Sequence, residues 1–269
     1  MRTVISTPIL SASKAAFAIC LTIVPLLFVS ADAAQKIRKF VGLEFGYSTF
    51  QFDEKIDQKL IFQTLSLTAG FGSGPYNFLI NYSSSLDSAE VSEEDFIGSA
   101  DRSDIDLVMV RQFGKSFNIF AGYKTGETTL ESFNREELDD GGAESRAESF
   151  EQEGPFLGFS ANWAIEDAGR LSFSIAYADL NSTNRFVSDG DGADPDEAPE
   201  FDDITGTTQG KTTGLSYNLA WTMPLKGNWL FRSKIKVNRY KQNIEFQGVS
   251  FNGIKESSTS LLIGLIHVF

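Results

Sequence analysis

The chain is poor in cysteine, histidine and proline: one Cys, one His and seven Pro in 269 residues. A single cysteine, Cys20, excludes an internal disulfide framework and a thiolate metal cage. It also falls within the first 33 residues, which read as an export segment, so the mature chain has no thiol nucleophile. No Gly-rich phosphate loop, metal-ligating helix or nucleotide motif is present. After residue 29 no apolar run approaches the roughly 20 residues that a spanning helix requires, so any membrane crossing must be made by strands. Disorder is excluded by what is abundant: 13% aromatics, among them 24 Phe, with 23 Gly. That mix suits many strands joined by turns.

The first segment has the parts of a secretory signal. Arg2 and Lys14 give a basic start, Ala15 to Val29 is an apolar run interrupted by Pro25, and Ala31-Asp32-Ala33 offers a small-x-small cleavage site. Residues 1–33 are therefore expected to be removed, leaving 34–269 as one β domain.

From residue 39 onward the residues alternate. Tyr76, Phe78, Ile80 and Tyr82 are interleaved with Asn77, Leu79, Asn81 and Ser83. Leu215, Tyr217, Leu219, Trp221 and Met223 are interleaved with Gly214, Ser216, Asn218, Ala220 and Thr222. A period of two means a strand with two unlike faces. The polar faces are built of Ser, Thr, Asn, Gly and Ala, whereas the apolar faces are large and often begin or end in Tyr, Trp or Phe. A soluble sandwich also alternates, but it gathers its large residues into one shared core. Large apolar residues against small polar ones suit a barrel with lipid outside and a narrow wet lumen. Ten strands are predicted, at about 38–50, 60–72, 75–85, 103–113, 116–126, 154–164, 170–180, 211–223, 228–246 and 256–269, with eight or twelve as the neighbouring counts. Short connections at 72–74, 114–115, 166–169 and 225–227 alternate with long ones beginning near 51, 86, 127, 181 and 247. This is the rhythm of an antiparallel up-and-down transmembrane barrel with both termini in the periplasm.

Leu261, Ile263, Leu265, His267 and Phe269 share one face, and Phe269 is the last residue. This strand resembles the C-terminal signature of bacterial outer-membrane β-barrel proteins, from which His267 departs by not being apolar. The resemblance implies the cell outer membrane as location, its lipid as surroundings, and recognition of Leu261, Ile263, Leu265 and Phe269 by the barrel assembly machinery. It names no subfamily.

The net charge of −13 is unevenly spread. Segments 85–103, 127–153 and 181–210 together hold 24 acids and four bases, so the rest of the chain is basic by seven charges. Acidic outer loops exclude nucleic acid as a partner and are first of all a solvated surface. Within them, Asp189, Asp191, Asp194, Asp196 and Glu197 space five carboxylates among glycines, a candidate Ca²⁺ site without the order of an EF-hand loop. Such loops also suit cation-bridged contact with lipopolysaccharide.

Charge is expected in the lumen too. With Phe231, Ile235 and Val237 toward lipid, Arg232, Lys234 and Lys236 face inward, as do Glu44, Asp104 and Asp106 on their strands. Either these groups form a salt-bridge network that plugs a narrow barrel, or a basic stripe faces an acidic one across a water-filled path for ions or small solutes. Two functions follow. One is a small pore. The other is a non-conducting surface barrel whose acidic loops make adhesive, lipopolysaccharide or cation contacts. An enzyme is not expected: omptin proteases share the strand count and use an Asp–His pair near the outer rim, whereas His267 belongs at the opposite end.

Overall fold

The computed structural model describes residues 37–53, 56–92, 96–134, 146–187 and 204–269. The expected export segment, 1–33, and the acidic run 189–197 lie outside them. The described residues form strands and no helix: β1 (Arg38–Phe52), β2 (Ile56–Ser73), β3 (Tyr76–Ser85), β4 (Ala89–Ser92), β5 (Phe96–Phe113), β6 (Phe117–Asn134), β7 (Arg146–Ile165), β8 (Gly169–Phe186), β9 (Gly206–Pro224), β10 (Trp229–Phe246) and β11 (Val249–Val268). Each is antiparallel to its neighbours, and the sheet closes on itself through β1–β11 and β3–β5. The short β4 continues the wall begun by β3, pairing Ala89 with Ala100 where β3 pairs Ser84 with Ser103. The barrel thus has ten walls. Where β3 pairs with β5, closure leaves no open edge, which removes the unpaired backbone groups that lipid cannot satisfy, while β4 beyond it pairs with β5 alone.

The two rims differ. At the terminal rim, which carries Arg38 and Val268, tight turns join β2 to β3, β5 to β6, β7 to β8 and β9 to β10. At the far rim the strands run further than the alternation pattern suggests. Segments 85–103, 127–153 and 181–210, expected as loops, contain β4, the first half of β5, the ends of β6 and β8 and the beginnings of β7 and β9. The long connection expected at 247 is a two-residue turn, Gln247-Gly248, with φ of 49° and 81°. A tight turn with both central residues left-handed matches the twist of a hairpin, and Gly248 adopts that conformation without steric cost.

Strand length explains the difference. Nine to eleven tilted residues cross a bilayer, but most of these strands have 18 to 20 residues. Next to the terminal rim the apolar face points outward: Val41, Leu43, Phe45 and Tyr47 on β1, Leu157 and Phe159 on β7, Leu261, Ile263 and Leu265 on β11 are all exposed. Tyr47, Tyr123 and Tyr177 mark the upper edge of this belt, and Tyr76, Phe113, Phe117, Trp163, Trp229 and Phe269 the lower. A continuous apolar girdle between aromatic rings is the surface a bilayer covers. Beyond the belt the apolar face turns inward. Phe50 and Phe52 of β1, Leu60 and Phe62 of β2, Phe150 of β7, Phe186 of β8, Ile244 of β10 and Ile254 of β11 are buried in one cluster inside the barrel. Here the outer faces meet water and carry Asp101, Glu127, Glu151, Glu153 and Asp179.

Candidate functional site

Phe52 on β1 and Phe150 on β7 stand on walls five apart in a ring of ten, so they are diametrically opposed, yet their ring centres are 5.0 Å apart. Phe186 joins them, 6.4 Å from Phe52 and 5.8 Å from Phe150. The bore is therefore filled at the far rim. A narrower polar strip runs beside this core, where Gln242 Nε2 donates to Ser182 Oγ at 2.6 Å.

Toward the terminal rim a layer of charge adjoins the core. The two-residue period places Arg232, Lys234 and Lys236 on the inner face of β10. Glu44 on β1 and Arg232 on β10 both lie opposite Gly264 of β11. Arg232 Nε and Nη2 donate to the two Glu44 oxygens at 2.8 and 2.6 Å, reaching across that glycine. A Cβ on Gly264 would press on the Leu43 carbonyl and on Glu44 itself. Lys234 Nζ adds a third contact to Glu44 at 3.0 Å, and Arg232 Nη2 donates to Thr68 Oγ1 at 3.1 Å. Glu44 is 0% exposed. A buried carboxylate with a bidentate guanidinium is well satisfied, and deleting one partner of such a group costs about 3–5 kcal/mol.

Lys236 of β10 meets Asp106 of β5 at 2.8 Å. These walls are also five apart, so this ion pair spans the bore as Phe52 and Phe150 do. Arg102 forks onto Asp104 with Nε and Nη2 at 2.9 Å each, donates from Nη1 to Thr128 Oγ1 at 2.7 Å, and lies 4.8 Å over the Phe50 ring. Gly126, directly opposite Asp104, leaves the space this fork occupies. Above the belt, Gln152 Nε2 donates to Glu256, whose burial pushes its pKa up to about 7 against the pull of Arg102 and Lys124. On the outer wall, burial and the neighbouring Glu127 and Glu153 raise the pKa of Glu151.

A cavity of about 370 Å³ runs through the charged layer and on toward the terminal rim. It reaches from Val110, Asn118 and Asn162 near the terminal rim to Arg102, Lys124 and Tyr240, and Ser and Asn side chains dominate its wall. The sequence places Glu44, Asp104, Asp106, Arg232, Lys234 and Lys236 inside, and the structure brings them together there. The acidic and basic stripes touch across the bore and are not separated by a path. Arg102 and Gln152 were hidden in expected loops, and Glu256 lies at the first residue of an expected strand. Continuing the even-numbered inward parity of β5, β7 and β11 past the belt recovers all three. The candidate Ca²⁺ residues Asp189, Asp191, Asp194, Asp196 and Glu197 fall outside the described residues. Among the described residues no cluster of three carboxylate or imidazole groups is placed to share a metal ion. His267 sits on the outer face at the terminal rim, its ring centre 4.7 Å from that of Trp229 and 4.5 Å from that of Phe269. Leu261, Ile263 and Leu265 face outward on the closing strand, and Phe269 N donates to Lys39 O at 2.8 Å.

No protein-family model matches the sequence, and neither does any curated protein. Solved structures do match. The outer-membrane protease OmpT of Escherichia coli aligns with 90% of this chain and 99% of its own at 11% identity and a TM-score of 0.50. The translocator domain of the autotransporter NalP from Neisseria meningitidis covers 95% of this chain and 97% of its own at 11% identity and a TM-score of 0.47. The outer membrane protein OprG of Pseudomonas aeruginosa covers 86% and 96% at 11% identity and a TM-score of 0.35. At such identities the likeness is one of fold, and activity does not travel with it. The chain is a closed ten-stranded antiparallel barrel of the kind found in bacterial outer membranes.

Proposed function

We propose that this protein resides in the cell outer membrane with its terminal rim toward the periplasm, as a barrel that does not conduct in its resting state. The observation that carries the reading is the filled bore: Phe52 against Phe150, and Lys236 against Asp106, each join opposite walls. An ion would have to pass a buried aromatic cluster and part an ion pair that spans the bore, and both steps are costly. The strand extensions then form a rigid wall outside the membrane, and the acids on its surface are the contact face, through solvation, adhesion or cation bridging to lipopolysaccharide. Recognition of Phe269 and the alternating residues before it by the barrel assembly machinery belongs to the same reading. A non-catalytic role is part of that reading, and it is supported by His267, the one histidine, standing on the outer face among aromatic rings.

Single-channel recording of refolded protein in a planar bilayer, with an ion gradient, tests this directly. A silent bilayer is expected from protein whose folding is shown by its shifted mobility on an unboiled detergent gel. Discrete steps whose reversal potential moves when Arg232, Lys234 and Lys236 are neutralised would establish the pore instead. A second reading, a gated conduit for small solutes, is favoured by the cavity that already traverses the belt. It requires Phe150→Ala to open a current that the unaltered chain lacks.

A further inference from the structure

We propose that the barrel wall beyond the belt is a docking surface for a second copy of this chain, the basic face of β10 and β11 on one copy meeting the acidic face of β6 and β7 on the next. This names a partner for the outer wall, and it rests on the reading that the belt is set in a membrane with the far half in water. Just beyond the belt the outward residues of these walls are segregated by charge. On β10, Arg239 and Lys241 are the first two outward residues after Val237, and on β11 Lys255 is the third after Leu261. All three are exposed. On β7, Glu153 and Glu151 follow Leu157 and Pro155, and on β6 Glu127 is the second outward residue after Tyr123. β6 and β11 are five walls apart in the ring of ten, so the two faces look away from each other.

Each face repels itself. Lys241 stands directly opposite Lys255 in the β10–β11 ladder, and Glu127 directly opposite Glu151 in the β6–β7 ladder. Like charges in such pairs are destabilising. Lys255 meets Asp53 only in a loose, exposed pair at 3.4 Å, and Glu245 stands two outward positions beyond Lys241. On the acidic face, burial and the neighbouring Glu127 and Glu153 hold the Glu151 carboxyl above its ordinary value. A face of the opposite sign relieves both repulsions. The membrane supplies the geometry. Every copy stands at the same height and points the same way, so patches equally far above the belt are presented to each other. Most of the rotational freedom that association must remove is already lost. A copy has one face of each sign, so the contact is heterologous and repeats from copy to copy as a row.

The test uses the full barrel refolded into phosphatidylcholine vesicles at a high ratio of lipid to protein. Donor or acceptor dye is attached through Ser250→Cys beside the far hairpin, and folding is checked by mobility on an unboiled detergent gel. Energy transfer above the level of random mixing is expected at low salt. Its loss is expected at about 1 M salt, where charges more than about 3 Å apart are screened. Arg239→Gln with Lys241→Gln and Lys255→Gln is expected to bring transfer down to the random level, and so is Glu127→Gln with Glu151→Gln and Glu153→Gln. Donor-labelled protein of the first kind mixed with acceptor-labelled protein of the second recovers transfer, because an intact acidic face then meets an intact basic one. Transfer at the random level in the unaltered chain, or transfer that survives both triple variants, overturns the proposal. So does loss with the basic triple alone, which assigns that face to the phosphate of a lipid. A folded barrel that is silent in a planar bilayer and shows no transfer overturns the pairing while the non-conducting reading stands.

Discussion

The two halves of this barrel's interior follow opposite rules. Inside the belt the inner face is small and polar around a cavity, and the large residues are outside. Past the belt the inner face carries Phe50, Phe52, Phe62, Phe150 and Phe186, and Asp101, Glu127, Glu151, Glu153 and Asp179 are outside, while Glu148 and Glu256 are buried. The backbone is continuous between the halves and the ladder is unbroken on most walls. What changes is the solvent. Lipid rewards large apolar side chains on the outside, and water drives them into the bore by the ordinary hydrophobic effect. The inversion occurs within single strands: on β1 the apolar residues run 41, 43, 45 and 47 and then step to 50 and 52. The far half is a small soluble β-barrel mounted on a membrane one, and it stoppers the lumen.

If that contrast is right, deleting a ring from the stopper hurts more than deleting one from the belt. Phe150→Ala removes a buried ring from the dry cluster and should cost about 3–5 kcal/mol, read as a lower urea midpoint in detergent. Phe45→Ala, on the lipid face, should cost clearly less, and equal losses would break the comparison. Of similar size is the charged layer between the halves. Glu44→Ala strands Arg232 and Lys234 without a counter-ion and should destabilise by about 3–5 kcal/mol, while Glu44→Gln with Arg232→Met restores part of the loss.

Glu256 sharpens the boundary through pH. Its carboxyl is raised from its ordinary value of 4.5 to about 7 in the folded chain. The folded state then holds the proton more tightly, so stability falls as pH rises through that interval. Glu256→Gln should remove this slope and stabilise the barrel at pH 8 by up to about 3 kcal/mol, with little change at pH 4. A wild-type denaturation midpoint that stays flat from pH 5 to 8 would count against the burial of that group. Gly264→Ala should cost about 1–3 kcal/mol by forcing Glu44 and the Leu43 carbonyl aside. Gly248→Ala at the far hairpin is the smallest, about 1 kcal/mol, and should leave the lumen untouched.

The class of fold was legible early because a period of two with unlike faces leaves few architectures, and Arg232, Lys234 and Lys236 could be aimed inward because lipid excludes charge. Strand ends were misjudged for one reason. The alternation breaks phase where membrane gives way to water, as at Tyr47 to Phe50 and at Tyr177 to Leu180, and a broken phase looks like the end of a strand. Glu127, Glu131, Glu151 and Glu153 reinforced that impression, although they stand on the outer wall of β6 and β7. The charge partners were not legible at all. That Glu44 takes both Arg232 and Lys234, and that Lys236 finds Asp106 five walls away, depend on the stagger of ten strands around a closed ring. Period and composition are properties of each strand and are written along the chain. Which side chains meet across the bore depends on closure and register, which only the assembled barrel has.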